Sequence, residues 1–165
     1  MTLLRERYPG KIIVGIEPAL KVAADHFPGG NVGVMATEVT LREEKFDTLL
    51  HRFDGGCHVT KIPAPGVVEL VEAGKADSPQ MLALAETLLG PYAGKLDVLV
   101  LGCTHYPFIA GAIRHVLGER VKLVDGGPGT ARETRRRLAA ADLLEQGDGE
   151  LILTNSREDP AIGAL

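Results

Sequence analysis

The sequence predicts an α/β fold built on a parallel sheet, with helices covering the sheet faces. Three observations carry this reading. Short β-branched or aliphatic runs alternate with amphipathic stretches along the chain. The run Val98-Leu99-Val100-Leu101 is wholly apolar, as a central parallel strand buried on both faces requires. Helix punctuation falls between the runs: Ser78-Pro79 is an N-cap with proline at the first helical position, and Gly74, Gly90 and Gly118 sit where helices should end.

From the amino end, Leu3 to Tyr8 reads as the last turns of a helix feeding a strand over Lys11 to Ile16. A strand over Asn31 to Met35 follows, then a helix over Thr40 to Arg52 and a strand over His58 to Ile62. Helices over Val67 to Ala73 and Ser78 to Leu89 lead into the strand Asp97 to Leu101. Pro107 then starts a helix to Leu117 that buries Phe108, Ile109, Ile113, Val116 and Leu117. Its free amides and positive dipole end would face the preceding turn. A strand over Val121 to Val124, a helix over Thr130 to Leu143 and a strand over Leu151 to Leu153 complete the series. An α/β unit rarely begins as abruptly as this one, so a missing upstream segment is expected. Asp159-Pro160 opens another helix that does not develop.

With 165 residues and 45% hydrophobic composition the chain can bury a genuine core. No apolar run approaches the roughly 18 to 20 residues of a membrane helix, and the amino terminus lacks a secretory pattern, so a cytoplasmic protein is expected. A net charge of -4 argues against nucleic acid as the main partner. Arg135, Arg136 and Arg137 read as a solvated cluster on one helix. Aromatic residues make up 4% of the chain and Trp is absent, which leaves base-stacking platforms poorly supplied.

Residues 99 to 107, Leu-Val-Leu-Gly-Cys-Thr-His-Tyr-Pro, carry the clearest chemistry. They deliver Cys103 onto the turn at the carboxyl end of a buried strand, where such sheets bind ligands, just ahead of a helix start that favours a thiolate. His105, two residues on, is placed to assist thiol deprotonation. Thr37 and Thr40 follow another strand end. They either bind a carboxylate or cap the next helix. Asp125-Gly126-Gly127-Pro128-Gly129-Thr130 is either a tight turn, with Thr130 capping a helix, or an anion cradle without the Walker lysine. Glu69 and Glu72 share one face of a helix. Cys57 precedes its strand and so sits at the amino end of the sheet, as a structural cysteine. The two cysteines lack paired metal-ligand spacing, and neither a metal, a cofactor nor a disulfide is expected.

Leu-Gly-Cys-Thr-His-Tyr-Pro at 101 to 107 resembles the second cysteine motif of bacterial glutamate racemases, in the cofactor-independent aspartate/glutamate racemase superfamily. The resemblance extends through residues 14 to 21 (Val-Gly-Ile-Glu-Pro-Ala-Leu-Lys) and 33 to 40 (Gly-Val-Met-Ala-Thr-Glu-Val-Thr). It continues through Leu123-Val124-Asp125 and Thr130-Ala131-Arg132-Glu133. It implies a three-layer α/β domain over residues 18 to 122, inserted into a second, similar domain of which 1 to 17 and 123 to 165 are remnants. It also implies interconversion of L- and D-glutamate for peptidoglycan by two thiols on opposite faces of the substrate α-carbon. Cys103 would act on L-glutamate with help from His105. Thr37, Thr40 and Thr104 would bind substrate, and Glu72 would be the helix glutamate near the site, with Glu69 its rival.

The family's first cysteine motif, of the Cys-Asn-Thr-Ala kind, does not occur in these 165 residues. The chain is therefore expected to be impaired or inactive on its own, and uncovered sheet edges are expected to drive self-association as a homo-oligomer. The competing readings are a non-catalytic amino-acid-binding or interaction module, and another superfamily racemase acting on aspartate or hydantoins.

Overall fold

A computed structural model of the chain describes residues 2–16, 19–42, 48, 56–145, 147–150 and 152. Two compact units divide the chain, residues 15–131 and residues 1–14 with 132–165.

The larger unit is a four-stranded parallel sheet in the order β2-β1-β3-β4. Its strands are β1 (Asn31–Ala36), β2 (His58–Pro63), β3 (Val98–Leu101) and β4 (Lys122–Asp125). All four residues of β3 are buried between β1 and β4, as their unbroken apolar character predicts. Strand alternation sends neighbouring side chains to opposite faces. Leu99, Leu101 and Met35 join Ile62, Met81, Tyr106 and Ile113 in one core; Val98, Val100, Val32 and Val34 join Leu20, Ala23 and Leu41 in the other. The sheet is thus the middle of three layers. Each fully buried side chain of the Leu or Ile class contributes about 1.5–3 kcal/mol relative to exposure.

Helices α2 (Leu20–His26) and α3 (Glu38–Arg42) serve the second core. The first is covered by α4 (Val67–Glu72), α5 (Pro79–Leu89), a 3-10 turn (Tyr106–Ile109) and α6 (Ala110–Leu117). In α5 the spacing of Met81, Ala85 and Leu89 lays one fully buried face on the sheet. Ser78 starts that helix by accepting from the Met81 amide (3.2 Å), with Pro79 at the first position.

Several sequence expectations change here. Lys11 to Ile16 is not a strand: its β-branched residues pair with no ladder, and Ile12 and Ile16 stay exposed. Helix α2 went unforeseen. The helix expected from Pro107 begins instead as the 3-10 turn, whose tighter winding turns Phe108 outward to 68% exposure while Ile109, Ile113 and Leu117 stay buried. The helix expected from Thr130 starts earlier, as α7 (Gly127–Ala140), so Thr130 lies inside it and does not cap it; Oδ1 of Asp125, the last residue of β4, accepts from the Gly127 amide at 2.7 Å. Most of the helix expected to run to Arg52, the strand expected over Leu151 to Leu153 apart from Ile152, and Asp159-Pro160 lie outside the described residues.

The smaller unit contains α1 (Thr2–Arg7) and the later part of α7. There Glu133 accepts from Arg136 and Arg137, each contact at 2.8 Å. These hydrogen bonds and charges lower its carboxyl pKa to about 2.

Candidate active site

The strand order reverses direction between β1 and β3, and a doubly wound sheet opens its ligand crevice outside the carboxyl ends at such a switch point. Thr37 follows β1 there, and Gly102-Cys103-Thr104 follows β3. The two ends are drawn together at Gly102, whose amide donates to the Met35 carbonyl at 2.8 Å. A Cβ at residue 102 would stand 2.9 Å from that oxygen and 3.0 Å from Ala36 Cβ, so only glycine admits this approach.

Beyond Gly102 the chain turns, and the half-buried Cys103 and His105 meet, with Sγ 3.5 Å from Nδ1. The other ring nitrogen, Nε2, lies 3.1 Å from Oε1 of Glu72 at the end of α4. A carboxylate only accepts, so Nε2 carries the proton and Nδ1 presents its lone pair to the thiol. The Glu72 side chain is 65% exposed, so this contact adds within about 0–1 kcal/mol to stability; its consequence is the fixed tautomer. Glu72, not Glu69, reaches His105.

Tyr106 secures this arrangement from beneath. Fully buried, it donates from its hydroxyl to the Ala64 carbonyl (3.5 Å), in the loop that leads into α4. Burial, then the neighbouring Cys103 and Glu69, push its phenol well above the ordinary range. α6 proper starts only at Ala110, after the 3-10 turn, and the side chain next to Cys103 Sγ is the His105 imidazole.

Thr37 and Thr40 hydrogen-bond to each other (Oγ1 to Oγ1, 2.9 Å), and Thr37 Oγ1 accepts the Thr40 amide at 3.3 Å. Thr37 therefore caps α3. Thr104 is exposed and lines a cleft of about 210 Å³ with Cys103, Pro107, Asp125, Gly126 and Gly127. A larger cleft, about 670 Å³, lies at the opposite end of the sheet and is lined by Asp97, Arg120 and Lys122 among others. Cys57 immediately precedes β2 at that amino end, and burial pushes its thiol up. Both cysteines are free. Among the described residues no group of three His, Cys, Asp or Glu is placed to hold a metal ion.

Sequence reasoning missed the Tyr106 link and the closeness that Gly102 permits. A glycine between a buried strand and a cysteine was the available sign of the latter.

A glutamate racemase of Clostridium perfringens is 41% identical to this chain over 162 residues, covering 96% of the chain and 62% of the relative. The chain is a glutamate racemase homologue. A glutamate racemase of Pseudomonas syringae pv. tomato is 42% identical over 158 residues, covering 95% of the chain and 58% of the relative. The crystal structure of Escherichia coli glutamate racemase, in complex with L-glutamate and the activator UDP-MurNAc-ala, superposes with a TM-score of 0.77. That match has 30% sequence identity and covers 98% of this chain and 61% of that one. No protein-family model matches the chain. This glutamate racemase homologue thus spans about three fifths of the length of the relatives it matches. Among the described residues no helix is long and apolar enough to cross a membrane.

Proposed function

We propose that this chain supplies one of the two proton-transferring faces of a glutamate racemase, with Cys103 as its acid-base thiol. The observation that carries the reading is the chain of contacts from Cys103 through His105 to Glu72 at the sheet's switch point, in a glutamate racemase homologue. As a thiolate, Cys103 removes the α-proton of L-glutamate; as a thiol, it returns a proton when L-glutamate forms from the D-isomer. His105 Nδ1 accepts the thiol proton beforehand, and Glu72 balances the imidazolium that results. Thr37, Thr40 and Thr104 hold the substrate carboxylate and ammonium groups with the hydroxyl capacity left beyond their mutual contacts.

Inversion needs a second thiol on the opposite face of the same carbon. Reacting atoms must approach to about 3–3.5 Å, whereas Cys57 lies beyond the far end of β2, a strand of six residues that spans roughly 20 Å at about 3.3 Å per residue. Residues 18 to 122 then form the domain inserted between segments 1 to 17 and 123 to 165. The product serves peptidoglycan synthesis in the cytoplasm, and the outer edges of β2 and β4 promote self-association.

The test is deuterium incorporation at Cα of L- and D-glutamate in heavy water, with optical rotation followed by circular dichroism. The 165-residue chain should exchange L-glutamate with little inversion, and Cys103→Ala should abolish exchange. Exchange that survives Cys103→Ala, or glutamate binding with no exchange at all, would overturn the assignment; the latter outcome favours a binding module.

A further inference from the structure

A base for Cα–H needs only a proton-accepting sulfur, but Cys103 is arranged for more than that. Sγ, the imidazole 3.5 Å away and the carboxylate 3.1 Å beyond it form the sequence of nucleophile, general base and orienting group found in thiol acyl-transfer sites. The cleft of about 210 Å³ beside the sulfur is walled in part by Gly102, Gly126 and Gly127, which bring no side chains into the approach. The volume suits a small acyl group, its carbonyl carbon set against Sγ.

We propose that Cys103 is also an acyl-accepting nucleophile, taking short acyl groups from activated esters and releasing them to water. His105 Nδ1 takes the thiol proton as Sγ attacks the carbonyl carbon. The carbon–sulfur bond forms, the bond to the leaving oxygen breaks, and the proton passes to the departing alcohol or phenol. Water, deprotonated by the same imidazole, then attacks the thioester carbonyl; the carboxylic acid leaves and the thiol is restored. The activity requires neither glutamate nor a second thiol, so it stands or falls separately from racemisation.

The experiment uses the full 165-residue chain with p-nitrophenyl acetate, following nitrophenolate release by absorbance and locating the acetyl group by peptide mass spectrometry. Expected are a burst of one nitrophenolate per chain, an acetyl group on the Cys103 peptide, a much smaller burst rate with p-nitrophenyl octanoate, and an unchanged burst in Cys57→Ser. Cys103→Ala should remove the burst. His105→Asn should slow it about 100-fold, the usual worth of a positioned base. Glu72→Gln keeps the acceptor but not the charge that balances the imidazolium, and should slow the burst without changing its size. Acetyl groups on Cys57 or on lysines without preference for Cys103, a burst that persists in Cys103→Ala, or a burst rate unaffected by His105→Asn would each overturn the proposal.

Discussion

Replacing Gly102 by alanine tests whether the approach of β1 and β3 builds the site. The new methyl would sit 2.9 Å from the Met35 carbonyl oxygen and 3.0 Å from Ala36 Cβ, both distances that real Cβ atoms avoid. A backbone oxygen and a Cβ that has no rotamer freedom stand in the way, so side-chain rotation cannot relieve the clash and the strand ends must part by several tenths of an ångström. Overpacking of this kind costs about 1–3 kcal/mol, and weakening the 2.8 Å hydrogen bond from Gly102 to Met35 adds about 0.5–1.5 kcal/mol. The expected loss is therefore about 2–4 kcal/mol. With a urea slope of about 1–3 kcal/mol/M, the unfolding midpoint read by far-ultraviolet circular dichroism should fall by about 0.7–4 M without a change in slope. Gly111→Ala is the control: it lies in α6 with nothing within 4 Å of the added carbon, and should stabilise by about 0.5–1 kcal/mol. Equal midpoints for Gly102→Ala and the native chain would refute the packing argument.

Ser78→Ala removes the cap of α5 and should cost about 1 kcal/mol in urea denaturation, with Ser78→Asp retaining most of it. Glu133 should titrate near 2 by carbon-detected nuclear magnetic resonance, and Arg136→Gln should move its midpoint toward 4.5. Because its folded pKa is depressed, the local stabilisation is present above the ordinary carboxylate value and fades as pH falls from about 4.5 toward 2. Helix content in α7 should decline over that window, and a decline confined to neutral or alkaline pH would contradict the assignment. Leu99→Ala, in the centre of β3, should cost about 2–5 kcal/mol in the same urea assay.

The parts of this protein legible in its sequence are those where a local pattern and its burial coincide. β3 is apolar at every position because both faces are covered, and α5 has its cap, proline and apolar face in series. Lys11 to Ile16 misled for the complementary reason: β-branched residues favour extended backbone, but a strand exists only where a neighbour supplies a ladder. Phe108 misled because a 3-10 turn precedes α6 and shifts the phase of the helix that follows. At the site, spacing placed Cys103 on its turn and set His105 beside it. Resemblance, and not spacing, pointed to Glu72, which is 33 residues away from His105. No periodicity encodes such a contact; it arises only when α4 packs beside the turn.

That contrast in range has its own consequence. Cys103 and His105 are joined by a single intervening residue and remain neighbours in many partly folded chains, whereas Glu72 finds the ring only once the loop at Ala64 and the phenol of Tyr106 have docked. The ring's orientation is thus set by tertiary packing and not by the local turn: without α4 packed beside it, the turn keeps Cys103 and His105 as near neighbours in sequence but loses the contact to Glu72.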